Sequence, residues 1–120
     1  MNKPLSGRRI LVVEDEILLR ITLEDMLADL GCESVTATAT TEKAVALVEQ
    51  QVFDAAVLDM NLNGDSSRPV ADALAKRGVP FIFATGNRGE MWDGFCDRPV
   101  LRKPFKYAEL VEILSRLLPR

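Results

Sequence analysis

The 120 residues predict an α/β fold in which a parallel sheet is flanked by helices, and two observations carry that prediction. Short, nearly continuous apolar runs alternate with segments of helical periodicity, the pattern of strands covered on both faces and joined by right-handed crossovers. The residues best suited to chemistry stand just after those runs, where open parallel sheets place their ligand sites.

The elements follow in order. Arg9 to Val13 reads as the first strand, and Leu19, Leu23, Met26, Leu27 and Leu30 recur at helical spacing behind it, with Gly31 as a stop signal. Ser34 to Thr38 is a weaker strand candidate. A second helix starts near Thr40, an N-cap residue type, and turns Ala44, Val45 and Val48 inward. Ala55 to Leu58 is a third strand. Asp65 to Arg77 reads as a helix with Pro69 in its first turn and Val70 and Leu74 inward. Pro80 to Ala84 and Pro99 to Leu101 complete the strands. Between them, Gly86 to Asp97 is expected to hold a short or mobile fourth helix, because Gly86, Gly89 and Gly94 weaken it while Met91, Trp92 and Phe95 can pack one face. From about Lys106 to the end, Leu110, Ile113, Leu114, Leu117 and Leu118 form an amphipathic stripe.

Length and composition bound the function. The chain fits one compact soluble domain over residues 1–120, with 1–7 as a loose N-terminal leader. A net charge of −3 and the lack of a Lys/Arg run argue against nucleic-acid or membrane-surface partners. With no spanning apolar stretch and no signal-peptide pattern, the expected location is the cytoplasm. Cys32 and Cys96 are isolated, fit no metal-ligand spacing, and read as reduced packing residues. There is no histidine, which disfavours imidazole catalysis and His-ligated metals and requires any phosphohistidine to come from another protein.

Glu14 and Asp15 follow the first strand, Asp59 the third, Thr85 the fourth and Lys103 the fifth, so the topology brings them to one pocket. Carboxylates gathered there repel at roughly 4 kcal/mol for a pair about 4 Å apart at an effective dielectric near 20. A hard divalent cation such as Mg²⁺ answers that charge, and Lys103 adds a second positive group. Asp59 would then attack phosphorus to give an acyl phosphate, with Thr85 donating its hydroxyl to a phosphoryl oxygen.

Four runs, Val12-Val13-Glu14-Asp15-Glu16, Leu58-Asp59-Met60, Ala84-Thr85-Gly86 and Lys103-Pro104-Phe105, resemble in order and interval the signatures of response-regulator receiver domains. The resemblance spans Arg9 to Leu118. It implies a flavodoxin-like, doubly wound sheet of five strands in order 2-1-3-4-5 with five helices, and a two-component function in which Asp59 accepts a phosphoryl group. It also implies a metal site of Glu14, Asp15, Asp59 and the Asn61 backbone carbonyl, a Thr85 switch hydroxyl and a cis bond before Pro104. The implied partners are a histidine kinase or phosphotransfer protein and a downstream protein target, with a monomer or a phosphorylation-dependent dimer as the working state.

The departures from the family pattern shape the expectations. Glu14 replaces a common Asp and, being longer, would reach a metal through a water. Asn63 stands where proline is frequent. Val100 replaces the Tyr or Phe whose rotation reads out phosphorylation in many members. Phe83-Ala84-Thr85-Gly86 is similar to a receiver subgroup with that Phe-Ala-Thr-Gly signature, which lacks the aromatic and often works with kinases of the HWE or a related class. The expected switch element is therefore the glycine-rich Gly86 to Asp97.

Taken singly, each residue has a plainer role. Glu14-Asp15-Glu16 suits a helix first turn, Asp59 a turn, Thr85-Gly86 a strand exit and Lys103-Pro104 a solvated loop. Trp92, Phe95 and Tyr107 read as packing residues unless exposed together. Two other functions compete with the switch. A haloacid-dehalogenase-like phosphotransferase also uses a strand-end Asp, but wants a second Asp where Asn61 stands. A phosphorylation-independent interaction module has no need of the five polar residues. No output domain is expected after the last helix.

Overall fold

A computed structural model describes residues 3–86, 92 and 94–118. Its elements are β1 (Arg9–Val13), α1 (Ile17–Asp29), β2 (Ser34–Thr38), α2 (Thr41–Gln50), β3 (Ala55–Leu58), β4 (Asn61–Leu62), β5 (Asp65–Ser66), α3 (Arg68–Lys76), β6 (Phe81–Thr85), β7 (Val100–Arg102) and α4 (Tyr107–Leu117). Five strands form a parallel sheet in order β2-β1-β3-β6-β7, while β4 and β5 pair separately. With that small pair set aside, the order is the expected 2-1-3-4-5.

Alternation along each strand divides the core into two layers. Ile10, Val12, Val57, Ile82 and Ala84 face one side, where Leu23 and Leu27 of α1 and Leu110 and Leu114 of α4 cover them. Leu11, Val13, Leu58, Phe81 and Phe83 face the other, against Ala44 and Val48 of α2 and Val70, Ala71 and Leu74 of α3. Thr40 caps α2 as its residue type suggests, its hydroxyl accepting from the Lys43 N–H at 3.3 Å.

Three expectations are corrected. Over its described residues, the leader is not loose. Leu5 is fully buried in the first core layer, its N–H donates to the Leu30 carbonyl at 2.9 Å, and the Gly7 N–H donates to that of Gly31 at 3.2 Å. One apolar side chain among polar neighbours carried no periodic signal. Gly31 accommodates this packing, because at φ +94° a Cβ would meet the Lys3 side chain at 2.9 Å. The third helix starts at Arg68 rather than Asp65, since Asp65 and Ser66 pair with Leu62 and Asn61 in a hairpin. Pro69 does lie in its first turn.

The expected fourth helix falls largely on residues 87–91 and 93, which lie outside the described residues. Of the described remainder, Phe95 is buried and Trp92 half-buried, their rings meeting Phe81 and Phe83 at centroid distances of 5.6–6.3 Å. Tyr107 lies apart from them, partly exposed, its hydroxyl donating to Asp29 Oδ2 at 2.7 Å. The three aromatics do not form a shared exposed patch. Cys32 packs against the first core layer, whereas Cys96 is exposed rather than a packing residue.

Candidate functional site

Backbone pairing sets the site at the C-terminal edge of the sheet. Val13 is level with Leu58, Leu58 with Phe83 and Thr85 with Arg102. The ladder runs one residue further: the Glu14 N–H donates to the Thr38 carbonyl at 3.0 Å, that of Asp59 to Val13 at 2.9 Å and that of Lys103 to Thr85 at 3.0 Å. Glu14, Asp59 and Lys103 are thus fixed by sheet hydrogen bonds before their side chains make any contact. The Lys103–Pro104 bond is cis, as the resemblance implies.

The side chains converge. Glu14, Asp15 and Asp59 each offer a carboxylate oxygen lying within 4.8 Å of the other two. Lys103 Nζ donates to Asp59 Oδ2 at 3.0 Å and lies 2.7 Å from Glu14 Oε1 and 3.6 Å from Glu16 Oε1. The contact to Glu14 Oε1 is an ion pair without hydrogen-bond alignment, so among the described residues that buried oxygen has no hydrogen-bond partner. Glu14 Oε2 accepts from the Glu16 N–H at 3.1 Å.

Burial governs the charges. It pushes the Glu14 carboxyl up to about 7, opposed by Lys103 and the Glu16 amide and reinforced by Asp59. Burial pulls the Lys103 ammonium down, but its contacts with the Glu14 and Asp59 carboxylates outweigh that, and its pKa ends above the ordinary value. One ammonium among three carboxylates therefore stays charged without fully compensating them.

The β4–β5 hairpin completes the rim. Its two-residue turn is Asn63-Gly64, with φ of 54° and 89°, the left-handed pair that a type I′ hairpin requires. The Asn63 N–H donates to Asp15 Oδ2 at 3.1 Å and that of Asn61 to Asp59 Oδ1 at 3.3 Å. At the other rim, Arg20 Nη1 donates to the Glu14 carbonyl at 3.0 Å. Thr85 is buried at the end of β6. An open cleft of about 760 Å³ runs from Asp15, Asp59, Asn61 and Lys103 past Thr85 to Leu18 of α1.

All the predicted site residues thus border one place. Sequence reasoning missed Arg20, Ser67 and the hairpin amides. The Asn63-Gly64 dipeptide was a readable hairpin signal. Arg20 acts on the main-chain carbonyl of Glu14, and the Ser67 hydroxyl donates to that of Asp59, contacts that no side-chain motif encodes.

The sheet order is that of a flavodoxin-like receiver fold, and its strand ends gather three carboxylates and a facing lysine at one place. The chain belongs to the response regulator receiver domain family, whose model matches residues 10–115. Over 119 residues it is 35% identical to the two-component response regulator PhoP of Pseudomonas aeruginosa, covering 93% of this chain and 52% of that protein. The chain spans about half the length of several curated relatives it matches. The solution structure of SdrG from Sphingomonas melonis Fr1 superposes with a TM-score of 0.81 at 45% identity, over 95% of this chain and 97% of that one. The receiver domain of the sensor histidine kinase PA1611 from Pseudomonas aeruginosa PAO1 gives 0.78 at 32%, over 93% and 98%, and was crystallised with magnesium coordinated in its active-site cleft. Among the described residues no helix is long and apolar enough to cross a membrane.

Proposed function

We propose that Asp59 is the phosphoacceptor of a cytoplasmic signalling switch, loaded from a phosphohistidine on a histidine kinase or phosphotransfer protein. In this reading Glu14, Asp15, Asp59 and the Asn61 backbone carbonyl hold Mg²⁺. The observation that carries it is the placement of Asp59, which borders the open cleft while meeting both the acidic pair and Lys103. The donor set suits a hard cation, since every side-chain donor is a carboxylate oxygen. Glu14 sits within the cluster itself, which favours direct ligation over reach through a water. When bound, Mg²⁺ would supply the charge that offsets the carboxylates and the phosphoryl oxygens.

The chain's own residues do the rest. An Asp59 carboxylate oxygen attacks phosphorus in line, so that an O–P bond forms as the donor's P–N bond breaks and its electron pair leaves on the imidazole nitrogen. Lys103 balances charge on the phosphoryl group from a position fixed by β7. Thr85 offers its hydroxyl to a phosphoryl oxygen, drawing the end of β6 toward Asp59 and altering the surface met by a downstream protein. The domain catalyses its own phosphorylation and dephosphorylation and turns over no separate substrate. Intact mass after incubation with acetyl phosphate and Mg²⁺ tests the reading: one phosphoryl adduct is expected on the wild type and none on Asp59→Asn. An unmodified wild type would overturn it.

A further inference from the structure

Ser67 is fully buried, yet its hydroxyl does not cap the helix it precedes. Ser at such a position ordinarily accepts from an amide of the first turn. Here the hydroxyl donates instead to the main-chain carbonyl of Asp59, and the Ser67 N–H donates to the Met60 carbonyl at 3.2 Å. Both carbonyls that leave β3 are therefore held by one residue. The carbonyl of Ser67 in turn accepts from Val70 at 2.9 Å and from Ala71 at 3.2 Å, inside α3.

We infer that Ser67 is a positioning residue for phosphoryl acceptance, clamping the backbone of Asp59 to the start of α3. This rests on the reading of Asp59 as the phosphoacceptor. Beyond Leu58, the last residue of β3 paired with β6, the Asp59 carbonyl finds its donor in a side chain. A buried carbonyl without a donor is costly, so the clamp fixes the peptide plane that follows Asp59. That plane sets the direction of the Asp59 carboxylate and the path to Asn61, two of the groups that would hold the metal. The hairpin between Asp59 and Ser67 supplies the Asn63 N–H to Asp15, so the same clamp steadies a third. Because Val70, Ala71 and Leu74 seat α3 in the second core layer, Ser67 also ties the acceptor's backbone to that helix. Orientation errors of this kind are expensive in a reaction that depends on in-line approach.

The test compares Ser67→Ala, Ser67→Thr and Leu114→Ala with the wild type. Leu114→Ala loosens the first core layer under α4, on the face of the sheet opposite to α3. Three quantities are measured: the rate of phosphoryl incorporation from acetyl phosphate, Mg²⁺ affinity from amide chemical shifts, and Tm. Ser67→Ala should slow incorporation about tenfold, weaken Mg²⁺ binding and shift the amides of Met60 and Asn61. Ser67→Thr, which keeps the hydroxyl, should restore all three. Leu114→Ala should lower Tm while leaving rate and affinity near wild type. Should Ser67→Ala not fold, Ser67→Cys keeps the volume, weakens the donor and carries the same comparison. The inference is overturned if the Ser67 variant matches the wild type, or if Leu114→Ala loses as much rate for the same loss of Tm. It is also overturned if a stably folded Ser67→Thr behaves as Ala does. A wild type that takes no phosphoryl group would instead bring down the reading of Asp59 itself.

Discussion

Lys103 places its ammonium 3.0 Å from Oδ2 of Asp59, a contact between residues 44 apart in sequence that the ends of β3 and β7 bring together. The same nitrogen lies 2.7 Å from Glu14 and 3.6 Å from Glu16, so one cation serves three carboxylates. Lys103→Met removes the fixed positive charge nearest the attacking oxygen. Phosphoryl incorporation should slow by about 100-fold, the scale of losing one preorganised electrostatic partner. A time course of intact mass checks this, and an unchanged rate would show that Lys103 is a structural ion pair alone.

Mg²⁺ should stabilise the folded chain, since an unfolded chain does not gather Glu14, Asp15 and Asp59. At a concentration 100 times its Kd the gain is about 2.7 kcal/mol, read as a rise in Tm. Asp15→Asn should blunt that rise. A Tm indifferent to Mg²⁺ in the wild type would contradict the metal site.

Leu5 offers a direct test of the tethered N-terminal segment. Leu5→Ala should cost about 2–5 kcal/mol, the usual range for truncating a fully buried leucine. Urea denaturation measures it. A neutral substitution would restore the picture of a loose leader.

The two thiols should differ in reactivity. Burial pushes Cys32 from its ordinary value of 9.0 up to about 11, so at pH 8 its reactive thiolate is about 100-fold scarcer than for an unshifted thiol. Cys96 is exposed. Alkylation at pH 8 followed by peptide mass analysis should modify Cys96 first, with Cys32 catching up as pH rises toward 11. Equal rates at pH 8 would contradict this.

What could be read from the sequence was what side-chain type and period encode. Arg9 to Val13 and Ala55 to Leu58 announced themselves because strands buried on both faces must be apolar throughout, and they stand as read. Glu14, Asp15, Asp59, Thr85 and Lys103 were legible because strand ends in such a sheet converge. Main-chain recognition was not legible. Ser67 is one polar residue in Asp65-Ser66-Ser67, and nothing in that triplet says which hydroxyl finds the Asp59 carbonyl. Leu5 was hidden for a related reason: a single contact has no periodicity. The displaced start of α3 could have been seen in Asn63-Gly64, since a turn of that type pairs the residues on either side and delays the helix.

The claim on which the rest depends is that Asp59 carries the phosphoryl group. Acyl phosphates are reduced by borohydride, which converts a phosphorylated aspartate to homoserine. The wild type, phosphorylated with acetyl phosphate and Mg²⁺, reduced and digested, should show homoserine at position 59 and at no other aspartate. Homoserine at another position, or at none while the intact protein bears the adduct, would contradict it.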